Sequence, residues 1–249
     1  MELSVPTQST CEPVTCSNCG LYLLCVPLGL DGNDMTLLDS LIKRKEVYKR
    51  GQILFRAGDR FDYVYALRSG SVKTSVSSDD GREQITGFHI AGELLGLSAF
   101  ASGQHSGEAR ALETISVCKV EIDRLDEIAN TIPSIQYQLL KIMSGQIRVD
   151  EELMLLLGTR KTEERLAAYL LGLSRRFASR NYSPTQFRFS MSRKDIGNYL
   201  GMAEETVSRI LTRFHEEGII STKQKNVSLI DMVRLDAIAR NRDQTKQQR

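Results

Sequence analysis

Residues 190–220 place the strongest constraint on how this chain can fold, because they carry the start, turn and end signals of two short helices. Ser192 followed three residues later by Asp195 resembles a capping box, a common start of a helix. Gly201 stands where the chain must turn sharply, and a second helix is predicted over about 203–216. Two short helices around a glycine turn predict a helix-turn-helix, whose second helix enters the DNA major groove.

The second helix of this motif is predicted to have one apolar face and one face suited to reading base pairs. Glu205, Ser208 and Arg209 lie at i, i+3 and i+4, so they share the face opposite the apolar residues. Arginine can donate two hydrogen bonds to guanine, glutamate can accept from cytosine, and serine can bond either way. These three residues are the predicted base contacts, and the alternative is an exposed helix face with a Glu–Arg pair. The predicted inward residues are Val207, Ile210, Leu211 and Phe214.

The C-terminal third of the chain is basic, as expected of a surface that meets a polyanion. From residue 160 onward, 18 Lys and Arg against 10 Asp and Glu give +8, whereas the earlier residues hold 15 against 21 and give −6. Residues 219–230 predict a hairpin, or wing, whose lysines would lie near phosphates. The predicted contacts to the DNA backbone are Arg193, Lys194, Thr206, Arg213, Lys223 and Lys225.

Residues 47–120 predict a β-domain, because short β-rich pieces are separated by turns at Gly58, Gly70 and Gly81. Many short strands at this spacing are typical of a β-sandwich or jelly roll. A short helix is predicted just before this region, over 34–44, where four leucines and isoleucines fall at helical spacing.

A long helix is predicted after the β-domain, beginning at Pro133, because proline is tolerated in the first turn of a helix. Six of its residues are spaced 3, 4, 3, 4 and 3 apart, which makes a heptad-like seam. We expect the seam to face the same helix of a second copy in a homodimer, and the alternative is packing within one chain. The seam consists of Leu140, Met143, Ile147, Asp150, Met154 and Leu157.

Four of the five cysteines crowd the N-terminus, at Cys11, Cys16, Cys19 and Cys25, and Cys118 lies in the β-rich region. Thiolates at such close spacing can converge on one metal. No signal peptide or membrane span is evident, so we expect a cytoplasmic protein without a membrane partner. Clustered cysteines in that compartment bind metal or do redox chemistry more often than they form disulfides. Their spacing leaves zinc and an iron–sulfur cluster both open.

Five stretches carry a family resemblance. They read Gln-Ile-Thr-Gly-Phe-His at 84–89, Ala-Leu-Glu-Thr at 111–114, Glu-Glu-Arg-Leu-Ala-Ala at 163–168, Asp-Ile-Gly-Asn-Tyr-Leu-Gly at 195–201 and Glu-Thr-Val-Ser-Arg at 205–209. With the cysteines, they resemble the CRP/FNR superfamily of bacterial transcription regulators. The similarity is greatest to its FNR/Anr branch, whose members respond to oxygen and control anaerobic gene expression.

The resemblance implies a [4Fe-4S] cluster with Cys16, Cys19, Cys25 and Cys118 as ligands, and it leaves Cys11 outside the ligand pattern. It also implies a homodimer on a double-stranded DNA inverted repeat related to TTGAT–ATCAA, which is released when oxygen degrades the cluster. The loop at 79–82 matches a surface that contacts RNA polymerase in the family, and the alternative is a plain exposed hairpin. Leu24, beside Cys25, is predicted to shield the cluster from oxygen.

The implied fold class is α+β, with an N-terminal jelly-roll β-roll of the cyclic-nucleotide-binding type, a long dimerisation helix and a C-terminal winged helix-turn-helix. The expected segments are a Cys-rich segment at 1–28, the β-roll at 29–123, the linker and dimerisation helix at 124–158, the winged helix-turn-helix at 159–240 and a polar tail at 241–249.

Two alternatives within the same superfamily remain, a cyclic-nucleotide-responsive regulator and a zinc-stabilised regulator. Residues 92–94 resemble the phosphate-binding stretch of the cyclic-nucleotide branch. The Arg-Ser pair that follows it in that branch is replaced by His105 and Ser106, which removes the natural cation for a phosphate. We expect no enzyme, because the three histidines lie in separate sections outside any catalytic motif.

Overall fold

The computed structural model describes residue 19, residue 36 and residues 42–241. Within this part of the chain, an N-terminal β-roll leads through two helices into a C-terminal domain of helices and one small sheet. The strands of the β-roll are β1 Ile42–Tyr48, β2 Ile53–Phe55, β3 Tyr63–Ser69, β4 Ser71–Ser77, β5 Glu83–Ile90, β6 Leu94–Leu95, β7 Glu108–Ala111 and β8 Ile115–Glu121.

The β-roll consists of two antiparallel four-stranded sheets, in the orders β1-β8-β3-β6 and β2-β7-β4-β5. A short 3-10 helix, Leu97–Ala101, follows β6. Buried apolar side chains from both sheets form the core between them, which is the layered arrangement of a sandwich or roll. The predicted jelly-roll-like domain is therefore confirmed. Its central residues include Leu67, Val72, Leu95, Ala109, Ile115 and Val117.

The predicted helix over 34–44 is wrong at its C-terminal end, because residues 42–44 belong to β1. Ile42 pairs with Val120 and Lys43 with Lys119 of β8, so a distant strand overrides the local helical spacing. Thr36 is helical, and the rest of the predicted helix lies outside the described residues. The β-domain therefore begins at Ile42, several residues before its predicted start at residue 47.

Two helices follow the β-roll, α1 Ile122–Thr131 and α2 Pro133–Thr159. Proline occupies the first turn of α2, as predicted. With 27 residues, α2 is about 40 Å long. Its N-terminal end is anchored on the β-roll by Ile135 and Leu139, which pack in a cluster with Phe61 and Val64. None of the helices within residues 42–241 combines the length and apolar character that a membrane crossing requires.

The C-terminal domain builds its core on α3, Thr162–Ala178, whose side chains Leu166, Tyr169, Leu170 and Leu173 are buried. The remaining elements of this domain are β9 Gln186–Arg188, α4 Arg193–Leu200, α5 Glu204–Glu216, β10 Ile220–Lys223, β11 Asn226–Leu229 and α6 Met232–Ala239. The predicted hairpin is β10–β11, and β9 adds a third strand beside β11. The winged helix-turn-helix is thus confirmed.

The core of the C-terminal domain continues into the β-roll. Ile85 and Phe88 of β5 belong to the same buried cluster as the apolar side chains of α3 and α4. The Phe88 ring lies 5.2 Å from the Tyr199 ring and 6.2 Å from the Tyr169 ring, centroid to centroid. Aromatic rings at these distances stabilise each other beyond their burial alone. The two domains are therefore packed directly together.

Candidate nucleic-acid interface and metal ligands

Local signals position α4 and α5 as the predicted helix-turn-helix. Ser192 Oγ accepts a hydrogen bond from the backbone N–H of Asp195, and the Asp195 carboxylate accepts one from the backbone N–H of Ser192, both at 3.0 Å. This is the predicted capping box. Gly201 ends α4 at φ +61°, a conformation that favours glycine. A Cβ at Gly197 would lie 2.6 Å from the Met202 carbonyl oxygen, so the tight crossing of the two helices requires glycine there.

The predicted reading face of α5 is exposed. The four predicted inward residues, Val207, Ile210, Leu211 and Phe214, are all at most 3% exposed. On the opposite side Glu205 and Arg209 are exposed and Ser208 is half-buried. The structure brings these three side chains onto one accessible face, as the helical spacing predicts. Their contacts with individual bases stay a prediction.

The predicted contacts to the DNA backbone come from α4, α5 and the β10–β11 wing. Lys194 and Lys223 are exposed, and Arg193, Thr206 and Lys225 are half-buried. Arg193 begins α4, where the helix N-terminus favours an anion such as phosphate. Arg213 differs from the others, because it forms an ion pair with Glu163 of α3 and lies 3.9 Å from Glu217. A phosphate contact by Arg213 therefore competes with carboxylates of its own domain.

The helix-turn-helix is fixed to the β-roll through α4. The side-chain amide of Asn198 accepts a hydrogen bond from the Ile85 N–H at 2.6 Å and donates one to the Glu83 carbonyl at 2.8 Å. It thereby continues the hydrogen bonding of β5 as a neighbouring strand would. Lys73 Nζ of β4 also lies 3.0 Å from Asp195 Oδ1. Burial would raise the pKa of Asp195, but the Ser192 hydrogen bonds and the Lys73 ammonium outweigh burial and lower it.

A second set of contacts between the domains is the Glu93 ion cluster, formed by Glu93, Arg176 and Arg180. Arg176 Nη2 lies 2.7 Å from Glu93 Oε2, and Arg180 Nη2 lies 2.7 Å from Glu93 Oε1. Burial would raise the pKa of Glu93, but Arg176, with His89, outweighs burial and lowers it from 4.5 to about 2. The carboxylate is therefore ionised at any ordinary pH and ties α3 to the β-roll.

Sequence reasoning missed both sets of contacts. Glu93 lies more than 80 positions in sequence from both Arg176 and Arg180, so no local spacing relates it to them. The stretches at 84–89 and 195–201 each carry the family resemblance and lie far apart in sequence. In the structure they meet, because α4 lies against β5. The packing of α4 against β5 fixes the direction of α5 relative to the β-roll and leaves the reading face of α5 accessible.

The predicted dimer seam divides into an exposed stripe and an end that packs within the chain. Leu140, Ile147 and Met154, each seven residues apart, are 57%, 59% and 65% exposed. Leu157 is half-buried, and its Cδ2 atom would lie 3.6 Å from a Cβ at Gly201, so it packs against the helix-turn-helix of its own chain. The remaining seam residues are the half-buried Met143 and the exposed Asp150, whose carboxylate accepts a hydrogen bond from Gln146 at 2.8 Å.

Two of the four predicted metal ligands fall within the described residues. Cys118 lies in β8 with its backbone opposite Ala66 of β3, and both Cys118 and Cys19 are half-buried. Cys16 and Cys25, as well as Cys11 and the predicted shield Leu24, lie outside the described part of the chain. Across residues 42–241, with 19 and 36, no group of three or more potential ligands surrounds a common point. Thiolates suit iron–sulfur clusters and zinc, so the donors present fit the implied group.

Known proteins and protein-family models match both the β-roll and the C-terminal domain of this chain. A model of the Crp-like helix-turn-helix domain matches residues 164–238, and a model of the cyclic nucleotide-binding domain matches residues 45–131. The transcriptional activator protein Anr of Pseudomonas protegens is 50% identical over 224 residues, which cover 90% of this chain and 92% of that protein. The fumarate and nitrate reduction regulatory protein of Escherichia coli K12 is 44% identical over 216 residues, which cover 87% of this chain and 86% of that protein. The solved structure of FixK2 from Bradyrhizobium japonicum is similar at a TM-score of 0.72 and 31% identity, and covers 78% of this chain and 96% of that one.

A β-roll joined by a long helix to a Crp-like helix-turn-helix defines a DNA-binding transcription regulator, a class that acts by binding rather than by catalysis. The chain belongs to the CRP/FNR superfamily and, within it, to the FNR/Anr branch.

Proposed function

We propose that this protein is a cytoplasmic, oxygen-responsive transcription regulator of anaerobic metabolism that reads an inverted repeat as a homodimer. The observation that carries the proposal is the accessible face of Glu205, Ser208 and Arg209, held at a defined angle to a β-roll that contains Cys118. The DNA site we expect is related to TTGAT–ATCAA, with one half-site for each protomer.

The cofactor we propose is a [4Fe-4S] cluster held by Cys16, Cys19, Cys25 and Cys118. When bound, such a cluster supplies iron–sulfur bonds that oxygen can break. An intact cluster would therefore signal that oxygen is absent. The protein's own contribution is to join the N-terminal cysteines to β8, because Cys118 is the proposed ligand that lies within the β-roll. The side chain of Leu24 would limit the access of oxygen and water to this site.

Base reading is tested with Arg209→Ala and two DNA duplexes, one with the inverted repeat and one with a changed half-site. An arginine that contacts a base should contribute about 1–3 kcal/mol of discrimination, so the variant should lose roughly 5- to 150-fold in preference. Lys194→Ala provides the contrast, because a phosphate contact should weaken binding to both duplexes equally. Binding is measured by fluorescence anisotropy without oxygen. If Arg209→Ala keeps the wild-type preference for the inverted repeat over the changed half-site, Arg209 does not contact a base.

Dimerisation through α2 is proposed as the step that oxygen controls. Burial of the exposed stripe would contribute roughly 1.5–3 kcal/mol per side chain. In a parallel dimer the two copies of Asp150 would face each other, and carboxylates about 6 Å apart at an effective dielectric constant of about 20 repel by roughly 3 kcal/mol. The two effects are of similar size, so a modest contribution from the metal site can shift the balance between monomer and dimer.

Asp150→Ala should therefore form dimers in air, where the wild type is monomeric. Glu151→Ala is the matched control, since Glu151 is an exposed carboxylate on the same helix outside the seam. Sedimentation velocity distinguishes the species. A monomeric Asp150→Ala protein in air, or equal dimerisation of both variants, contradicts the role of Asp150.

Contact with RNA polymerase is proposed for the turn between β4 and β5, at 79–82. The turn is exposed and its shape is held by Arg82, whose Nε donates to Asp80 Oδ2 at 2.7 Å. An exposed turn with a fixed shape is suited to contact with a second protein. A substitution here should lower activated transcription and leave DNA binding unchanged.

A cyclic-nucleotide-responsive regulator is the second candidate, because the matching domain model covers residues 45–131. Two features weigh against it. Both carboxylate oxygens of Glu93, in the stretch that resembles the phosphate-binding segment, are already bound by Arg176 and Arg180. His105, in place of the missing cation, is buried against the Phe55 ring with centroids 3.8 Å apart, and burial lowers its pKa. Tight binding of a cyclic nucleotide in a calorimetric titration would favour this second candidate.

A further inference from the structure

The guanidinium group of Arg165, near the start of α3, binds four backbone carbonyl groups. Its Nη2 donates to the Leu157 oxygen at 2.7 Å, and its Nε donates to the Arg160 oxygen at 2.9 Å. Its Nη1 donates to the Leu200 oxygen at 3.0 Å and to the Gly201 oxygen at 3.4 Å. The first two carbonyls stand at the end of α2, and the other two stand at the end of α4. One side chain therefore joins the ends of two helices, and these four bonds are called the Arg165 clamp below.

The ends of α2 and α4 are suited to a cation with several donors. The last carbonyl groups of a helix have no partner within the helix, and the helix dipole makes this end negative. Arg165 supplies a positive charge and N–H groups to both ends at once. Lysine could not make the same bonds, because the clamp uses three nitrogen atoms and a lysine side chain has one.

The clamp also fixes the joint between α2 and α3. Arg160 and Lys161 have extended backbone, which separates the two helices. Rotation at such a joint would swing α2 relative to the helix-turn-helix, since a few residues at the ends of elements can absorb a large change in direction. The bond to Arg160 holds the joint itself, and the bonds to Leu157 and Leu200 hold the helix ends that would move apart.

The clamp acts at the end of α2 that is far from its anchor on the β-roll. The anchor is formed by Ile135 and Leu139, and the helix-turn-helix is fixed to the β-roll separately, through Asn198. At a rise of about 1.5 Å per residue, Leu157 lies about 27 Å along α2 from Leu139. The Arg165 clamp is thus a third connection, which joins α2 directly to the helix-turn-helix.

We propose that Arg165 is a positioning residue that holds α2 at a fixed angle to the helix-turn-helix, and so sets the spacing of half-sites that the homodimer accepts. The inference rests on the proposed function, because it needs a dimer that forms through α2 and reads an inverted repeat. In such a dimer the angle between α2 and α5 determines how far apart the two reading faces lie. One additional base pair between the half-sites moves them apart by about 3.4 Å and rotates them by roughly 35°.

The experiment compares binding to three duplexes, with protein purified without oxygen. The duplexes carry the same half-sites, with the spacer that the wild type prefers, one base pair more or one base pair fewer. Arg165→Lys is the test variant, because it keeps the charge and removes the branched set of donors. Arg175→Lys is the matched control, since Arg175 is an exposed arginine of the same helix. Binding is measured at a temperature at which circular dichroism shows every variant folded, and sedimentation velocity shows whether the dimer is kept.

Arg165→Lys should keep the dimer and lose its discrimination between spacers. If the clamped angle is populated about one tenth of the time in each protomer, affinity for the preferred spacer falls roughly 10-fold per protomer, or about 100-fold for the dimer. Affinity for the two changed spacers should fall much less, because a looser joint lets the reading faces reach them. The wild-type preference for one spacer should therefore shrink, whereas Arg175→Lys should match the wild type on all three duplexes.

A purely structural role of Arg165 predicts a different result. Equal weakening on all three duplexes, with the preference for one spacer unchanged, overturns the inference and leaves the proposed function standing. Loss of the dimer in Arg165→Lys also overturns it, because the clamp would then stabilise α2 rather than position the helix-turn-helix. Absence of wild-type binding to every duplex overturns the function and the inference together.

Discussion

Replacing Glu93 by glutamine removes the one carboxylate that joins α3 to the β-roll in the Glu93 ion cluster. The side chain of Glu93 is 22% exposed, and its two oxygens bind Arg176 and Arg180, so the change leaves both guanidinium groups without their counter-ion. Glutamine has almost the same shape as glutamate. The loss of stability therefore reports charge and hydrogen bonding rather than packing.

The size of the effect follows from the pKa of Glu93, which the protein lowers from 4.5 to about 2. A pKa lowered from 4.5 to about 2 corresponds to about 3 kcal/mol of stability at neutral pH. We therefore expect Glu93→Gln to lower the free energy of unfolding by about 3 kcal/mol.

The dependence on pH has a definite sign. Because the pKa is lower in the folded protein, the stabilisation by Glu93 is complete above the unfolded value of 4.5 and is lost as the pH falls toward 2. The difference between wild type and Glu93→Gln should thus be largest near neutral pH and should shrink steadily below about pH 4.5. Urea unfolding followed by circular dichroism of air-purified protein measures this difference at each pH.

The matched control is Glu108→Gln. Glu108 pairs with a single cation, Arg110, at 2.6 Å within one strand, β7, and the Arg110 side chain is 40% exposed, whereas Glu93 binds two arginines of another domain. A pair of this kind contributes about 0–1 kcal/mol. The reasoning is refuted if Glu93→Gln costs no more than Glu108→Gln, or if its cost is the same near pH 3 as near pH 7.

Three further changes test the remaining parts of the account. Asn198→Ala should speed hydrogen exchange at the Ile85 amide and cost about 1–3 kcal/mol, because that N–H loses its partner. Gly197→Ala should cost about 1–3 kcal/mol and weaken DNA binding, because the new Cβ would lie 2.6 Å from the Met202 carbonyl oxygen. Leu24→Ala should speed the decay of cluster absorbance in air, and an unchanged decay rate would reject its role as a shield.

Controls for these variants are available in the same domain. Gly172 lies in α3 with open space around the position of a Cβ, so Gly172→Ala should stabilise the helix by up to about 1 kcal/mol. If Gly172→Ala and Gly197→Ala both destabilise the protein, the close contact of the new Cβ with the Met202 carbonyl oxygen is not the cause of the loss at Gly197. For Asn198→Ala, the Val227 amide of β11 serves as the internal reference, since β11 pairs with β9 and β10 within the C-terminal domain. Equal acceleration at both amides would indicate general destabilisation instead.

Features that depend on short spacing were predictable from the sequence. The capping box of α4, the glycine turn after it and the proline that opens α2 are each encoded within a few residues, and all three are present. The inward face of α5 followed from helical periodicity in the same way. The position of the reading face of α5 could therefore be predicted from short-range sequence signals alone.

Features that depend on distant partners were not predictable. Ile42 ends a run of apolar residues with helical spacing but begins a strand, because β8 pairs with Ile42 and Lys43 from more than 70 positions away. β9 is three residues long and has only its pairing with β11 to define it. Leu157 fits the seam by spacing, yet it packs against the turn of its own helix-turn-helix. The contacts that fix the DNA-binding domain on the β-roll are likewise visible only in three dimensions.

Metal analysis of protein purified without oxygen decides whether the four cysteines bind an oxygen-labile [4Fe-4S] cluster. We expect iron and acid-labile sulfide in equal amounts that correspond to one [4Fe-4S] cluster per chain. We also expect no bound zinc, and visible absorbance that fades on exposure to air. Stoichiometric zinc without iron, or iron–sulfur absorbance that air leaves unchanged, would contradict it.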